Sequence, residues 1–236
     1  MNVLKKLLPD SFKRNIKEQL GVPSMRWSLQ NLKKLGFSPK AALDIGAYKG
    51  EWTNEFLVVF PDTEVLMIEA QTSKAEGLRQ LCDKNRNVRC HIGLLGAKEG
   101  DEVVFSEDET ASFVDRDKTT NGKIRKTETV DSILKKHGFP TPDFLKLDVQ
   151  GYELDVLTGS EDALSHVSFC LLEVALLDYG KGNPLLLDVI SFMDSRGFQA
   201  YDILQLMRRP YDKALDQMDM LFIRKDSILI KEKRWS

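Results

Sequence analysis

Ala41-Ala-Leu-Asp-Ile-Gly-Ala-Tyr-Lys-Gly-Glu51 is the stretch on which the fold turns. A short apolar run carries Asp44 near its end, and two glycines, Gly46 and Gly50, then open a helix-forming segment. This is the pattern of the first strand and first turn of a doubly wound α/β sheet, where ligands settle beyond the carboxyl ends of the strands. Glycine at 46 lets the chain turn sharply and approach a ligand that a Cβ would exclude. The form is D-x-G-x-x-x-G, which differs from the dinucleotide fingerprint G-x-G-x-x-G. Its glycines stand four apart, Tyr48 takes a place that would crowd a diphosphate, and Asp44 would repel one. The same carboxylate suits an ammonium group. A tight strand–helix turn with no ligand is the alternative.

Outward from this turn, strands and helices alternate. Ala41–Ile45 is strand one and 52–59 a helix stopped by Pro61. Strand two covers 65–68 and is closed by Glu69, a helix follows over 74–85, and 88–92 is strand three. Residues 102–106 read as a strand, 110–122 as a polar, turn-rich loop, and 127–137 as containing a helix. The apolar run 144–149 is strand four, 154–157 is helical, 169–174 is strand five, and the helix 184–196 ends at Gly197. Strands over 198–204 and 218–224 complete a largely parallel sheet with helices on both faces. Ahead of it, Val3, Leu4, Leu7, Leu8, Phe12, Ile16 and Leu20 recur at helical spacing, with Pro9 as a break. A second helix, capped by Ser24, turns Trp27, Leu29, Leu32 and Leu35 inward and ends at Gly36. The division is a helical extension over 1–38, a main domain over 39–228 and a basic tail over 229–236.

With 236 residues, 42% hydrophobic and 30% charged, the chain can bury one full core. Its net charge of −2 argues against a nucleic-acid binder. Residues 1–40 nevertheless carry nine Lys or Arg against Asp10 and Glu18, a net of +7 that leaves −9 for the remainder. Residues 1–22 are therefore a candidate for peripheral membrane contact, the alternative being a helix packed on the domain. Cys82, Cys90 and Cys170 have no metal-ligand or disulfide spacing, so no zinc site is expected and the cytoplasm is the expected compartment.

Glu69 lies 19 residues past Gly50 at the end of strand two, where an acidic residue can accept both ribose hydroxyls. A ligand with a cationic amino-acid part and a nucleoside part satisfies Asp44 and Glu69 together, and S-adenosylmethionine is such a ligand. The second chemistry-bearing stretch is Phe144-Leu-Lys-Leu-Asp-Val-Gln-Gly-Tyr-Glu153. Asp148 ends strand four beside strand one and faces the same crevice. Gln150, Tyr152 and Glu153 form a polar loop above it and are candidate acceptor contacts, as is Tyr179. Glu173 interrupts the buried-looking Leu171-Leu-Glu-Val174, and a charge there must be paired or face a pocket. Asp148 and Glu173 are the candidate catalytic carboxylates; an ion pair with Lys146 is their structural alternative.

These stretches, in order, resemble the FkbM-type S-adenosylmethionine-dependent methyltransferases. The matching residues are Leu43-Asp-Ile-Gly-Ala-Tyr-Lys-Gly-Glu-Trp52, Ile68-Glu-Ala70, Glu128-Thr-Val-Asp-Ser-Ile-Leu134 and Leu145-Lys-Leu-Asp-Val-Gln-Gly-Tyr-Glu153, extended by Val156-Leu-Thr-Gly-Ser160 and Leu171-Leu-Glu-Val174. The resemblance covers roughly residues 40–225. It implies a class I methyltransferase sheet of seven strands, the last inserted antiparallel beside strand five, and methyl transfer to a hydroxyl oxygen on a saccharide or similar metabolite. It also implies that Asp44, Gly46, Ala47, Tyr48 and Gly50 frame the methionine part of the donor. Glu69 and Ala70 would meet the ribose, Gly93, Leu94 and the loop to Gly96 the adenine, and Asp148 would border the methyl group. Two departures stand out. Gln150 replaces a glutamate usual in the family, and Tyr48 replaces a small or amide residue. They support a rival reading, a non-catalytic binding or scaffold protein of the same fold that reaches a membrane or partner through its basic arm. His91, at the end of strand three, is a further candidate base.

Overall fold

The structure, a computed structural model, describes residues 20–109, 112–116, 120–179 and 182–235. The first half runs α1 (Met25–Lys34), β1 (Ala41–Ile45), α2 (Glu51–Val59), β2 (Glu64–Glu69), α3 (Ala75–Lys84), β3 (Val88–Ile92), β4 (Leu94–Leu95) and β5 (Glu102–Ser106). Then come β6 (Phe113–Asp115), β7 (Lys123–Glu128), α4 (Val130–His137), β8 (Phe144–Leu147), α5 (Glu153–Thr158) and α6 (Glu161–His166). β9 (Phe169–Ala175), α7 (Leu186–Ser195), β10 (Phe198–Arg208), β11 (Leu215–Arg224) and α8 (Ile228–Lys231) close the order.

Seven strands form the main sheet in the order β10-β11-β9-β8-β1-β2-β3, and only β11 runs against its neighbours. The sequence reading of a class I sheet with its last strand antiparallel beside the fifth is what the structure has. β1 and β8 are buried along their whole lengths because each has sheet on both sides and side chains on both faces. Alternation then divides their residues between two cores. Leu43, Ile45, Leu66, Ile68, Leu145 and Leu147 go to one. Ala42, Val65, Met67 and Phe144 go to the other, where Trp52 of α2 stacks on Phe144 and Phe56 packs on it at a tilt, with centroids 5.7 and 5.2 Å away.

The chain leaves β1 toward β2 and β3 on one side and occupies β8 and β9 on the other. The switch point therefore lies between β1 and β8, where Ile45 pairs with Leu147. Gly46 and Asp148 follow immediately, side by side at the carboxyl edge.

Several local expectations need correction. In α1, Ser24 caps the helix and Leu29 and Leu32 are buried, but Trp27 and Leu35 are 39% and 48% exposed. At 100° per residue Trp27 falls opposite Leu29, and Leu35 lies past the last helical residue. Residues 113–128 hold two strands, β6 and β7, which join β4 and β5 in a second sheet of order β4-β7-β5-β6. The helix expected within 127–137 is α4, which begins at Val130 with Thr129 accepting the N–H of Ser132 as its cap. The strands expected over 198–204 and 218–224 extend as a long antiparallel pair, β10 and β11, which leaves only 209–214 between them. Except for Leu20, the basic stripe over 2–20 lies outside the described residues. Among the described residues no helix is long and apolar enough to cross a membrane.

Candidate active site

The turn after β1 is built on backbone geometry that only glycine adopts freely. Gly46 has φ 73° and donates its N–H to the Ile68 carbonyl at 2.9 Å. A Cβ there would stand 1.8 Å from the carbonyl oxygen of Asp148. The turn and the Asp148 loop are therefore in direct backbone contact. Asp44 lies beneath them, fully buried, accepting from Thr53 Oγ1 at 2.7 Å through Oδ2. Its Oδ1 accepts no hydrogen bond and has Lys146 Nζ at 3.4 Å. The same ammonium donates to the Gly46 carbonyl at 3.1 Å and stands 3.5 Å from Asp148 Oδ2. Burial alone would lower the lysine's pKa, but Asp44 and Asp148 outweigh it and raise it above its ordinary value. A charged Lys146 thus clamps the two loops together. Asp44, read from sequence as a ligand contact, sits behind this clamp instead of on the cavity wall.

Above the clamp opens a cavity of about 590 Å³ lined by Gly46, Ala47, Tyr48, Glu69, Ala70, Gly93, Leu94, Asp148, Gln150, Tyr152 and Glu173 among others. Ten of the residues nominated from sequence therefore share one wall with Asp148. Gly50, Glu153 and Tyr179 do not line it. Gly50, at φ 76°, supports the helix start against Leu81. Tyr179 is 58% exposed and donates its hydroxyl to Asp216 at 2.7 Å. His91 also stays off this wall, bonded to Glu128 at 2.7 Å and to His137 at 3.1 Å.

Glu69 accepts the N–H groups of Tyr48 and Gln71, each at 2.7 Å and each on a different oxygen. Burial raises its pKa above the usual carboxylate value, with these N–H bonds opposing the shift. One lone pair remains on each oxygen for a ligand. Tyr48 holds a left-handed φ of 49° and donates its hydroxyl to Glu109 at 2.6 Å, an oxygen that Lys74 also reaches at 2.7 Å. Tyr48 thus ties the turn after β1 to the segment after β5.

The loop after β8 carries the second departure. Gln150 is left-handed as well, φ 54°, and its amide donates to Asp148 Oδ1 at 3.0 Å and to Glu173 Oε2 at 2.7 Å. An amide here bridges two carboxylates that a glutamate would repel. Gln217 donates to the same Glu173 oxygen at 2.9 Å. Glu153, placed by sequence over the crevice, is 4% exposed and lies under the loop, accepting the N–H groups of Val149 and Gly151 at 3.2 and 3.0 Å.

Burial and the neighbouring carboxylates Asp148, Glu153 and Asp219 push Glu173 up to about 9. Burial likewise lifts Glu153 to about 7, and burial with Asp148 lifts Asp219 to about 6. Lys146, Gln217 and Asp219 also line the cavity and were not among the nominated contacts. Asp219 carries the same mark as Glu173, a charge inside the apolar run Met218-Asp-Met-Leu-Phe222.

These shifts set a pH dependence. Each group binds its proton more tightly folded than unfolded, so the folded state holds more protons between the unfolded and folded values and stability falls as pH rises. For Glu173 the window runs from its ordinary 4.5 to about 9. Glu173→Gln is expected to match the wild type in thermal melts near pH 4.5. At pH 8 to 9 it should exceed it by about 1–3 kcal/mol. An unchanged difference across that range would refute the assignment.

The model of the Methyltransferase FkbM domain matches residues 44–200, more than half of the chain. Hexuronic acid methyltransferase AglP of Haloferax volcanii is 32% identical over 81 residues, 34% of each chain, so the match spans about a third of that relative. Among solved structures, the FkbM methyltransferase of Methylobacillus flagellatus KT superposes with a TM-score of 0.53 at 18% identity, covering 77% of this chain and 43% of that one. The fibrillarin pre-rRNA processing protein of Methanococcus jannaschii gives 0.50 at 10% identity, over 80% and 67%. At these identities the structural matches show the fold, which is that of Rossmann-like methyltransferases. Taken with the family match from Asp44 through the Asp148 loop, they establish that the chain belongs to the FkbM methyltransferase domain family.

Proposed function

We propose that this protein transfers a methyl group from S-adenosylmethionine to a hydroxyl oxygen on a saccharide or related metabolite. The observation that carries the reading is the convergence of Gly46, Glu69 and Asp148 on one cavity at the switch point between β1 and β8. The residues suit the donor. Gly46 lets the turn pack directly on the Asp148 loop, so that both border one cavity; Glu69 keeps lone pairs for vicinal hydroxyls. Ala70, Leu94, Leu95 and Phe105 provide apolar walls for a base. The bound donor supplies a methyl group already activated on a sulfonium. What remains for the protein is positioning, exclusion of water and removal of a proton.

Asp148 is the residue we assign to that proton. It lines the cavity, and its Oδ1 and Oδ2 are held by Gln150 and Lys146. Glu173 keeps its own proton at neutral pH and, through Gln150, fixes the direction of Asp148. The saccharide class draws on the name of the Haloferax relative, over a third of its length.

Titration calorimetry with S-adenosylmethionine and with S-adenosylhomocysteine tests the donor, and mass spectrometry for a gain of one methyl across a carbohydrate panel tests the acceptor. Absence of donor binding at millimolar ligand would falsify the reading.

A further inference from the structure

The cavity continues past Asp148 to a wall made by β9, β11 and β10, where Glu173, Asp219, Gln217 and Gln205 lie with Gln150 on the adjoining loop. Glu173 and Asp219 are directly opposed in the register of β9 and β11. Their side chains therefore share one face of the sheet a few ångströms apart. Two amides satisfy Glu173 Oε2, those of Gln150 and Gln217. Asp219 has no such partner: its carboxylate accepts no hydrogen bond from a described residue. Cations are nearly absent. Among the described residues the lining contains seven acidic side chains, of which Glu173 holds its proton at neutral pH, and a single ammonium, that of Lys146. That ammonium is already engaged by Asp44, Asp148 and the Gly46 carbonyl.

We propose that Asp219 is a specificity-determining residue that receives a hydroxyl or ammonium donor of the acceptor, and that the acceptor is an uncharged or amine-bearing sugar and not a uronic acid. The inference rests on the methyl-transfer reading above. A half-buried carboxylate without a donor is a site for N–H or O–H groups, which form charge-assisted hydrogen bonds to it. A carboxylate on the acceptor would meet Asp219 as a like charge in a partly desolvated cavity with no free cation to neutralise it. Polyhydroxyl ligands also match the amides of Gln150, Gln205 and Gln217, which both donate and accept.

Three matched methyl glycosides, a glucoside, a glucosaminide and a glucuronide, provide the test. Methyl gain is followed by mass spectrometry with S-adenosylmethionine, and equilibrium binding is measured on protein saturated with S-adenosylhomocysteine. The glucoside and glucosaminide are expected to surpass the glucuronide by about tenfold or more in both, the scale of one like-charge contact. Asp219→Asn should narrow that gap, and Gln217→Lys, which adds a cation to the same wall, should bring the glucuronide level or ahead. Thermal melts of each variant establish that it is folded. A glucuronide that equals or outperforms the others on the wild type leaves methyl transfer standing and overturns this inference. A gap unchanged in Asp219→Asn overturns the role of Asp219. Donor binding with neither methyl gain nor binding for any of the three overturns both this inference and the saccharide reading.

Discussion

Asp148→Asn is expected to lower kcat by about 10²–10⁴-fold, the range for loss of a positioned general base, while the dissociation constant for S-adenosylmethionine changes less than about tenfold. The separation follows from geometry. Asparagine keeps an oxygen that can accept from Gln150, so the bridge to Glu173 can survive and with it the shape of the loop. What it loses is the charge that faces Lys146 at 3.5 Å and the capacity to take a proton. Glu173→Gln is the necessary comparison. With its carboxyl pushed up to about 9 by burial and neighbouring acids, Glu173 is protonated at neutral pH and is a poor base there. Its replacement should cost far less turnover at pH 7 than replacement of Asp148. Single-turnover mass spectrometry and calorimetry separate the two outcomes. If Asp148→Asn keeps kcat within tenfold, the proton leaves by another route.

The main sheet was legible because its strands are the most apolar runs in the chain, and burial on both faces forces that composition on β1, β8 and β9. Gly46, Glu69 and Asp148 were legible for a related reason: polar or unprotected residues at the ends of such runs must face something. The second sheet was not. Lys123–Glu128 fell between the loop read over 110–122 and the helix-containing segment 127–137, because β7 is half-exposed and takes its stability from pairing with β5. Of the β10–β11 hairpin only the inner parts were read, over 198–204 and 218–224, because its outer residues are exposed or half-buried and lack an apolar run. Within the site, direction was the hidden quantity. Asp44 and Glu153 both belong to the motif, yet both point inward, one to Lys146 and Thr53 and one to the backbone of its own loop. A sequence marks a carboxylate that needs partners, but only the fold determines whether those partners are a ligand or the protein itself. Asp219 was missed although it broke an apolar strand as plainly as Glu173 did.

Gly46→Ala is expected to remove donor binding and to destabilise the protein by more than about 3 kcal/mol, in the upper range for single substitutions. Two costs coincide at this position. The backbone sits at φ 73°, where a Cβ costs about 1–2 kcal/mol, and the new Cβ would stand 1.8 Å from the Asp148 carbonyl oxygen. That oxygen cannot withdraw alone, because Asp148 N–H donates to the Ile45 carbonyl at 3.1 Å and Lys146 ties both loops to Asp44. Two other glycines calibrate the result. At Gly50 the obstruction is the terminal methyl of Leu81 at 2.7 Å, which can move, so alanine there should cost mainly the strain of φ 76°. Gly77 lies inside α3 with nothing within 4 Å of an added Cβ, and Gly77→Ala should stabilise the fold by about 0.5–1 kcal/mol. Denaturant unfolding and donor calorimetry on the three variants give the order. A Gly46→Ala protein as stable as Gly50→Ala would mean that the turn and the Asp148 loop are free to part. Relief of the clash can come only from that separation, which shifts Asp148 away from the turn proposed to frame the donor. Loss of binding and loss of stability at Gly46 are therefore one event.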